Sequence, residues 1–211
     1  MSQHLAILGA SGHGKVIADT AALNPKWQKI SFFDDAWPDT DSEMPWPVVG
    51  KTNSLLQALD QFSGVVIGIG NNAIRQQKHN LLVEYNAPIV SIVHPRAYIS
   101  PFVTLGVGTV AFACAVVNIH CSIGLSCIVN TAATIDHDCR LADFSHASPG
   151  SHLGGGVEVG ERSWIGIGSS VKQCVIIGSD VVVGAGAAVV KSLPNNQVVA
   201  GVPAKLLSVD L

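Results

Sequence analysis

The sequence predicts two units of different fold: a small parallel α/β unit over residues 1–95 and a parallel β-helix of hexapeptide repeats over residues 96–211. Three observations predict it. First, an aliphatic residue or Ala recurs at every sixth position without a miss, at Ile99, Leu105, Ala111, Val117, Ile123, Val129, Ile135, Leu141, Ala147, Leu153, Val159, Ile165, Val171, Ile177, Val183 and Val189. Second, four residues after these positions stands another small or β-branched residue, as at Ala115, Cys121, Cys127, Ala133, Cys139, Ser145 and Ser151. Both slots must face a narrow interior. Third, the residues before Pro95 lack this period and read instead as strand, glycine turn and helix.

A period of six fits neither the 3.6 of a helix nor the 2 of an ordinary strand, and belongs to hexapeptide β-helices. Three hexapeptides make one triangular coil, so the run predicts about five coils stacked at the inter-strand spacing of roughly 4.8 Å. The interruptions at Gly106, Gly108, Asn118, His120, Ser122, Gly124, Asn130 and Thr131 fall in phase with the repeat. That phase argues against a membrane span in the uncharged stretch from Ala97 to Ile135, since a spanning helix needs about 20 mainly apolar residues. After the repeat, Asn195 and Asn196 predict a turn before a last strand over Val198 to Val202.

In the first unit, Leu5 to Leu8 reads as a strand running into Gly9-Ala-Ser-Gly-His-Gly14. Val16, Ile17, Thr20 and Leu23 then follow at helical spacing. Such a turn lets backbone N–H groups approach a phosphate at a helix N-terminus. A second strand, Ile30 to Phe33, ends in Asp34-Asp35, where nucleotide-binding βαβ units hold an acid near the nucleoside. A third, Val65 to Ile69, ends in Gly70-Asn71-Asn72 before a helix carrying Ile74, Leu81 and Leu82, and Ile89 to Val93 leads into the repeat. All three turns lie at carboxyl ends of strands, where open α/β sheets bind ligands. The unit is therefore read as Rossmann-like with a nucleotide or nucleotide-sugar as its ligand. The glycine spacing is GxxGxG and not the GxGxxG of redox dinucleotide sites.

Composition excludes several classes. A net charge of −3 with 12 Lys plus Arg and no basic run argues against nucleic acid and anionic membrane surfaces. Met1 to Leu8 lacks a basic segment and does not read as a signal peptide. An odd count of 5 cysteines, three of them in interior slots, reads as small filler in a reducing compartment, so the expected location is the cytoplasm.

Chemistry has to come from residues that break the inward pattern. His137 stands two places after the inward Ile135, so it faces outward, with Asp136 and Asp138 beside it to orient the imidazole and favour its protonated form. Gly154-Gly155-Gly156 offers backbone N–H groups to a developing oxyanion. The cysteines and Ser145 are predicted to point inward, which argues against a covalent acyl-enzyme.

Gly9-Ala-Ser-Gly-His-Gly14, Asp34-Asp35, Ile69-Gly-Asn-Asn72, Ile135-Asp-His-Asp138, Phe144-Ser-His146 and Gly201-Val-Pro-Ala-Lys205, in that order, resemble the sialic acid O-acetyltransferase and nucleotide-sugar N-acetyltransferase family of hexapeptide acyltransferases. The likeness is strongest to its bacterial UDP-4-amino-sugar members, which serve bacillosamine-type sugars and glycan assembly. The resemblance implies a left-handed β-helix and acetyl-CoA as co-substrate with no metal. It also implies a UDP-amino-sugar acceptor, and a homotrimer with the donor in the groove between rods. It implies Ser11, Gly12, His13, Asp34, Asp35 and Gly70 as holding the nucleotide-sugar, His137 as catalytic base and Asp138 as its acid partner. His146, Gly155, Ile167, Ala185 and Lys205 would meet the acetyl-CoA. Asp138 stands where the nearest members carry Glu, one methylene longer, and Ala185 where a relative has Gly.

Three other readings keep a place. A sugar hydroxyl, as in sialic acid, would be served by the same base. A non-catalytic nucleotide-sugar scaffold would make His137 dispensable. A zinc enzyme would need three converging histidines from among His120, His137, His146 and His152, of which His146 and His152 fall on successive faces of a coil.

Overall fold

The computed structural model describes residues 3–39 and 45–207, and its chain divides into two compact units, Met1–Pro95 and Arg96–Leu211.

The first unit is built on three parallel strands, β1 (Gln3–Leu8), β2 (Trp27–Phe33) and β3 (Gly64–Ile67), in the order β2-β1-β3. Leu5, Ala6, Ile7 and Leu8 are all buried, because a central parallel strand is covered on both faces and so reads as a continuous apolar run. Helix α1 (Gly12–Ala22) buries Ile17, Ala18 and Ala21, whereas Val16 and Leu23, expected on its inner face, are exposed. A short α2 (Thr52–Gln57), which has no clear periodicity, precedes β3. Helix α3 (Asn72–Glu84) turns Ile74 outward and buries Arg75, His79 and Leu82 instead. The third strand stops at Ile67, and the run expected over Ile89 to Val93 is reduced to a bridge from Ile89 to Val65 and a two-residue strand, β4 (Ile92–Val93).

The second unit is a triangular solenoid with three faces. One face stacks Tyr98–Ile99, Val116–Val117, Thr134–Ile135, His152–Leu153, Ser170–Val171 and Ala188–Val189 in parallel. A second stacks Thr104–Leu105, Ser122–Ile123, Arg140–Leu141, Glu158–Val159 and Ile176–Ile177. The third includes Val110–Ala111, Ile128–Val129, His146–Ala147, Trp164–Ile165, Val182–Val183 and Val198–Ala200. Each partner lies one coil on, so Thr134 pairs with His152 and Ile128 with His146. The interior slots fill as the period requires: Val117, Ile135, Ile165, Cys127, Ala133 and Ser145 are all fully buried. Cys121 and Cys139 are free thiols that donate to the carbonyls of Asp136 (2.9 Å) and Gly154 (3.2 Å) in the next coil. After Val198–Ala200 the chain does not run on to Val202 but turns back as Lys205–Leu206, antiparallel to it. No helix among the described residues is long and apolar enough to cross a membrane.

Two glycines fasten β1 to α1. Gly9 has φ of +111°, and a Cβ on Gly14 would stand 2.1 Å from the Gly9 carbonyl oxygen, so strand and helix approach closely only without side chains there. Gly12, by contrast, opens on free space. Gly14→Ala is expected to cost about 2 kcal/mol or more, and Gly12→Ala less than about 1 kcal/mol, by denaturant unfolding followed by circular dichroism. Ile135→Ala, which empties a fully buried slot, is expected to cost about 2–5 kcal/mol.

Candidate active site

His137 stands in the corner that joins the first solenoid face, ending at Ile135, to the second, beginning at Arg140. The corner is turned by Asp138, whose φ of +60° lies in the left-handed region that Asp adopts more readily than most residues. That turn folds the carboxylate back onto its neighbour. Asp138 Oδ2 lies 2.7 Å from His137 Nδ1, so the shorter side chain reaches the imidazole without the extra methylene of Glu. A carboxylate only accepts, so Nδ1 carries the proton and Nε2 is left as the basic nitrogen. The hydrogen bond to Asp138, followed by the negative charge of Asp136, raises the His137 pKa above the usual imidazole value. His120, one coil earlier, places its Nδ1 3.6 Å from the other oxygen of Asp138.

Gly155 lies one coil beyond His137. A Cβ there would stand 2.6 Å from Cε1 and 2.7 Å from Nε2 of the imidazole, so the ring rests against the glycine backbone. Ladder bonds tie the flanking amides, Gly154 N–H to the Val171 carbonyl and Gly156 N–H to the His137 carbonyl, but among the described residues Gly155 N–H has no acceptor. The cause is general: the middle residue of each corner stands outside the ladder. Where an Asx residue is at hand its side chain fills the gap, as Asp143 does for Leu125 N–H and Asp136 for His137 N–H.

The residues expected to meet acetyl-CoA divide. Gly155 shares the His137 corner, whereas His146 is buried on the third face, across the triangle from it. Asn130 Oδ1 accepts the Thr131 N–H, which turns its amide nitrogen to His146 Nε2 at 3.0 Å and leaves the ring proton on Nδ1. The His146 ring packs 4.6 Å from that of Trp164 in the next coil. Ile167 and Ala185 are exposed at the corner following the third face, one coil apart, and neither N–H has an acceptor among the described residues. Lys205 is exposed beside a cavity of about 190 Å³ with Lys191, Leu193 and Pro203. Among the described residues no three His, Cys, Asp or Glu side chains gather as a metal site.

In the first unit, Ser11 stands at the N-cap of α1, and Gly12 and His13 are its first two residues. Gly12 and Gly70 both open on free space, and Ser11 makes no side-chain cap bond. His13 is partly exposed, and the burial of its ring, with the Arg75 charge adding to it, holds the imidazole down at about 4, so it is neutral at pH 7. Asp34 accepts from the Ala10 N–H (2.8 Å) and the Ala36 N–H (2.9 Å), tying the glycine turn to the end of β2. Burial works to raise the Asp35 carboxyl, but the hydrogen bonds from Lys78 (2.7 Å) and the Thr52 N–H (3.0 Å) outweigh it and hold it down at about 2. Sequence reasoning missed Arg75. Its buried guanidinium donates to the carbonyls of Ile69 (3.1 Å) and Gly70 (2.9 Å) and to Asn72 Oδ1 (2.6 Å), fixing the loop that carries Gly70. The shared helical phase of Arg75, His79 and Leu82 was the available signal.

Residues 4–82 match the family of PglD N-terminal domains. Across 98% of this chain and all of the other, the fold superposes at a TM-score of 0.92 and 40% identity on the acetyltransferase domain of PglB from Neisseria gonorrhoeae FA1090, solved in complex with acetyl coenzyme A. The GDP-perosamine N-acetyltransferase of Escherichia coli O157:H7 is 28% identical over 125 residues, 59% of this chain and 57% of that protein. The UDP-N-acetylbacillosamine N-acetyltransferase of Bacillus subtilis (strain 168) is 33% identical over 113 residues, 53% of this chain and 52% of that protein. The matched segments thus span about half the length of these curated relatives. With its α/β unit, its hexapeptide solenoid and the full-length likeness to an acetyltransferase domain, the chain belongs to the sialic acid O-acetyltransferase and nucleotide-sugar N-acetyltransferase family of hexapeptide acyltransferases.

Proposed function

We propose that this protein transfers the acetyl group of acetyl-CoA to the 4-amino group of a UDP-linked amino-deoxy sugar, with His137 as general base. The observation that carries the reading is the His137 corner: an imidazole polarised by Asp138 at 2.7 Å, its Nε2 set against the backbone of Gly155, whose N–H is unused. The neutral amine attacks the carbonyl carbon of acetyl-CoA, and as the tetrahedral intermediate collapses the C–S bond breaks and coenzyme A leaves as a thiolate that takes up the proton His137 has accepted. His137 Nε2 takes a proton from the attacking nitrogen, a role typically worth 10²- to 10⁴-fold. Gly155 N–H donates to the charge developing on the carbonyl oxygen. Direct attack needs no covalent nucleophile: Cys121 and Cys139 are buried in the interior, while Cys174, contrary to the expectation that the cysteines point inward, is exposed and donates to the Gly155 carbonyl at 3.9 Å.

The exposed N–H groups of Ile167 and Ala185 are donors suited to the amide-rich arm of the donor molecule, whereas the His146 ring N–H is buried. They lie on the far side of the triangle from His137 in the same chain, which supports a homotrimer in which one rod supplies the base and its neighbour helps to hold the donor. In the first unit, the open approaches at Gly12 and Gly70, beside the N-terminus of α1, suit a nucleoside diphosphate. The relatives include both a GDP-sugar and a UDP-sugar enzyme, and the UDP form is the one proposed here.

Thiol release from acetyl-CoA with a UDP-4-amino-4,6-dideoxy sugar tests this. Wild-type turnover is expected to fall by about 10²-fold or more in His137→Ala, and equal turnover in both would remove His137 as base. Because the His137 pKa is raised and the neutral imidazole is the active form, the acid limb of kcat/KM is expected above the ordinary value of about 6.5. It is expected to move to lower pH in Asp138→Asn. Gly155→Ala, which drives a methyl into the imidazole, is expected to lose about 10-fold or more in kcat while unfolding within about 1 kcal/mol of the wild type.

A further inference from the structure

A cavity of about 400 Å³ lies beside His137 in the solenoid, with Tyr98, Phe102 and Ile119 as apolar wall and Asn118, Asp136 and His137 as polar lining. Asp136 is the one carboxylate in that lining, and no Lys or Arg contributes to it. The carboxylate is held in a fixed orientation. Its Oδ1 accepts from Asn118 Nδ2 at 3.0 Å, one coil earlier, and from the His137 N–H at 2.9 Å. Its Oδ2 has no hydrogen-bond partner among the described residues. The same His137 N–H and Asn118 bonds keep the Asp136 carboxyl below the usual range, so it is ionised at neutral pH and unsuited to taking a proton itself.

We propose that Asp136 is the specificity-determining residue for the acceptor: its free oxygen binds the ammonium of an amino-sugar beside the His137 base and so favours an amine over a hydroxyl. The inference rests on the His137 corner being the site of acyl transfer, and deepens that reading. An aliphatic amine enters as a cation and gains Coulomb energy from the one carboxylate lining the cavity, then gives a proton to water before its neutral form attacks, whereas a neutral hydroxyl gains a hydrogen bond and no charge pairing. Tyr98 and Phe102 meet the apolar face of a deoxy sugar, and the rigid Asn118–Asp136 pair fixes where its nitrogen stands. The titratable groups that act on His137 are Asp138 from its own corner and Asp136, with the Cys121 thiol from the coil before, while His120 from that coil meets Asp138. Asp136→Asn therefore also lowers His137 basicity, so the comparison is made above the His137 titration, where the imidazole is neutral in both proteins.

The test is calorimetric binding to the full chain, without acetyl-CoA, of a UDP-4-amino-4,6-dideoxy sugar and of its 4-hydroxy counterpart. Asp136→Asn retains the Oδ1 acceptor for Asn118 and His137 N–H and replaces the free anionic oxygen with a neutral NH2, which repels an ammonium but can donate to a hydroxyl. It is expected to weaken the amino-sugar about 10-fold and leave the hydroxy-sugar unchanged. Asp136→Glu, which keeps the charge, is expected to restore at least part of the preference, and this second variant separates a lost charge from a disturbed corner. An unchanged amino-to-hydroxy ratio in Asp136→Asn, or a wild type that binds both sugars equally, would overturn the inference. Thiol release measured alongside keeps the two failures apart: acetyl transfer with an unchanged binding ratio would overturn this inference alone, whereas no acetyl transfer to either sugar would overturn the catalytic reading and, with it, Asp136 as acceptor determinant.

Discussion

Stacking of identical coils is the constraint from which the chemistry follows. Because each strand pairs with the one 18 residues on, a residue's neighbour above or below is set by register and not by a flexible loop. His137 therefore rests on Gly155, Asp138 faces His120, and Asn118 reaches Asp136, each across a single coil step. The parallel ladder leaves the middle amide of every corner outside its hydrogen bonding. An ordinary feature of the fold thus becomes a donor placed next to a base. Precision comes without a dedicated scaffold, since the same buried aliphatic stack that holds the coil closed also holds the imidazole, the carboxylates and the free N–H in place.

The same geometry spreads the residues of the proposed site around the triangle. A triangular coil sends its corners in three directions, so residues close in sequence, such as His137 and His146, come to opposite sides. In the first unit the logic is different and local. Asp34 and Asp35 serve to pin the turn around Gly12 and the start of α2, Arg75 pins the loop around Gly70, and the two open glycine positions are left between these fastened points. Burial of the ring, with the charge of the buried arginine adding to it, keeps His13 neutral.

Much of this was legible in the chain. The period of six assigns inward and outward residues along the solenoid, because an interior barely wide enough for one aliphatic side chain tolerates no exception at Ile135 or Ile165. His137 stands out for the same reason, as an ionisable residue in phase with the corners. The first unit was less legible. Its helices are short, so Val16, Leu23 and Ile74 could be apolar and still face solvent. Arg75 could be charged and still be buried, once three acceptors were brought to it by a loop no local pattern describes. The Asp138 contact could not be read from side-chain length, since the left-handed corner and not the methylene count sets its reach. Nor does a sequence show that Asp136 has one oxygen bound and one free.

The most direct test of the central claim is a ¹⁵N NMR titration of the His137 ring in the acetyl-CoA-free protein. The account predicts a neutral form protonated on Nδ1, with Nε2 bare and a pKa above about 6.5 that falls when Asp138 is replaced by Asn. A ring protonated on Nε2, or a pKa indifferent to Asp138, would contradict it.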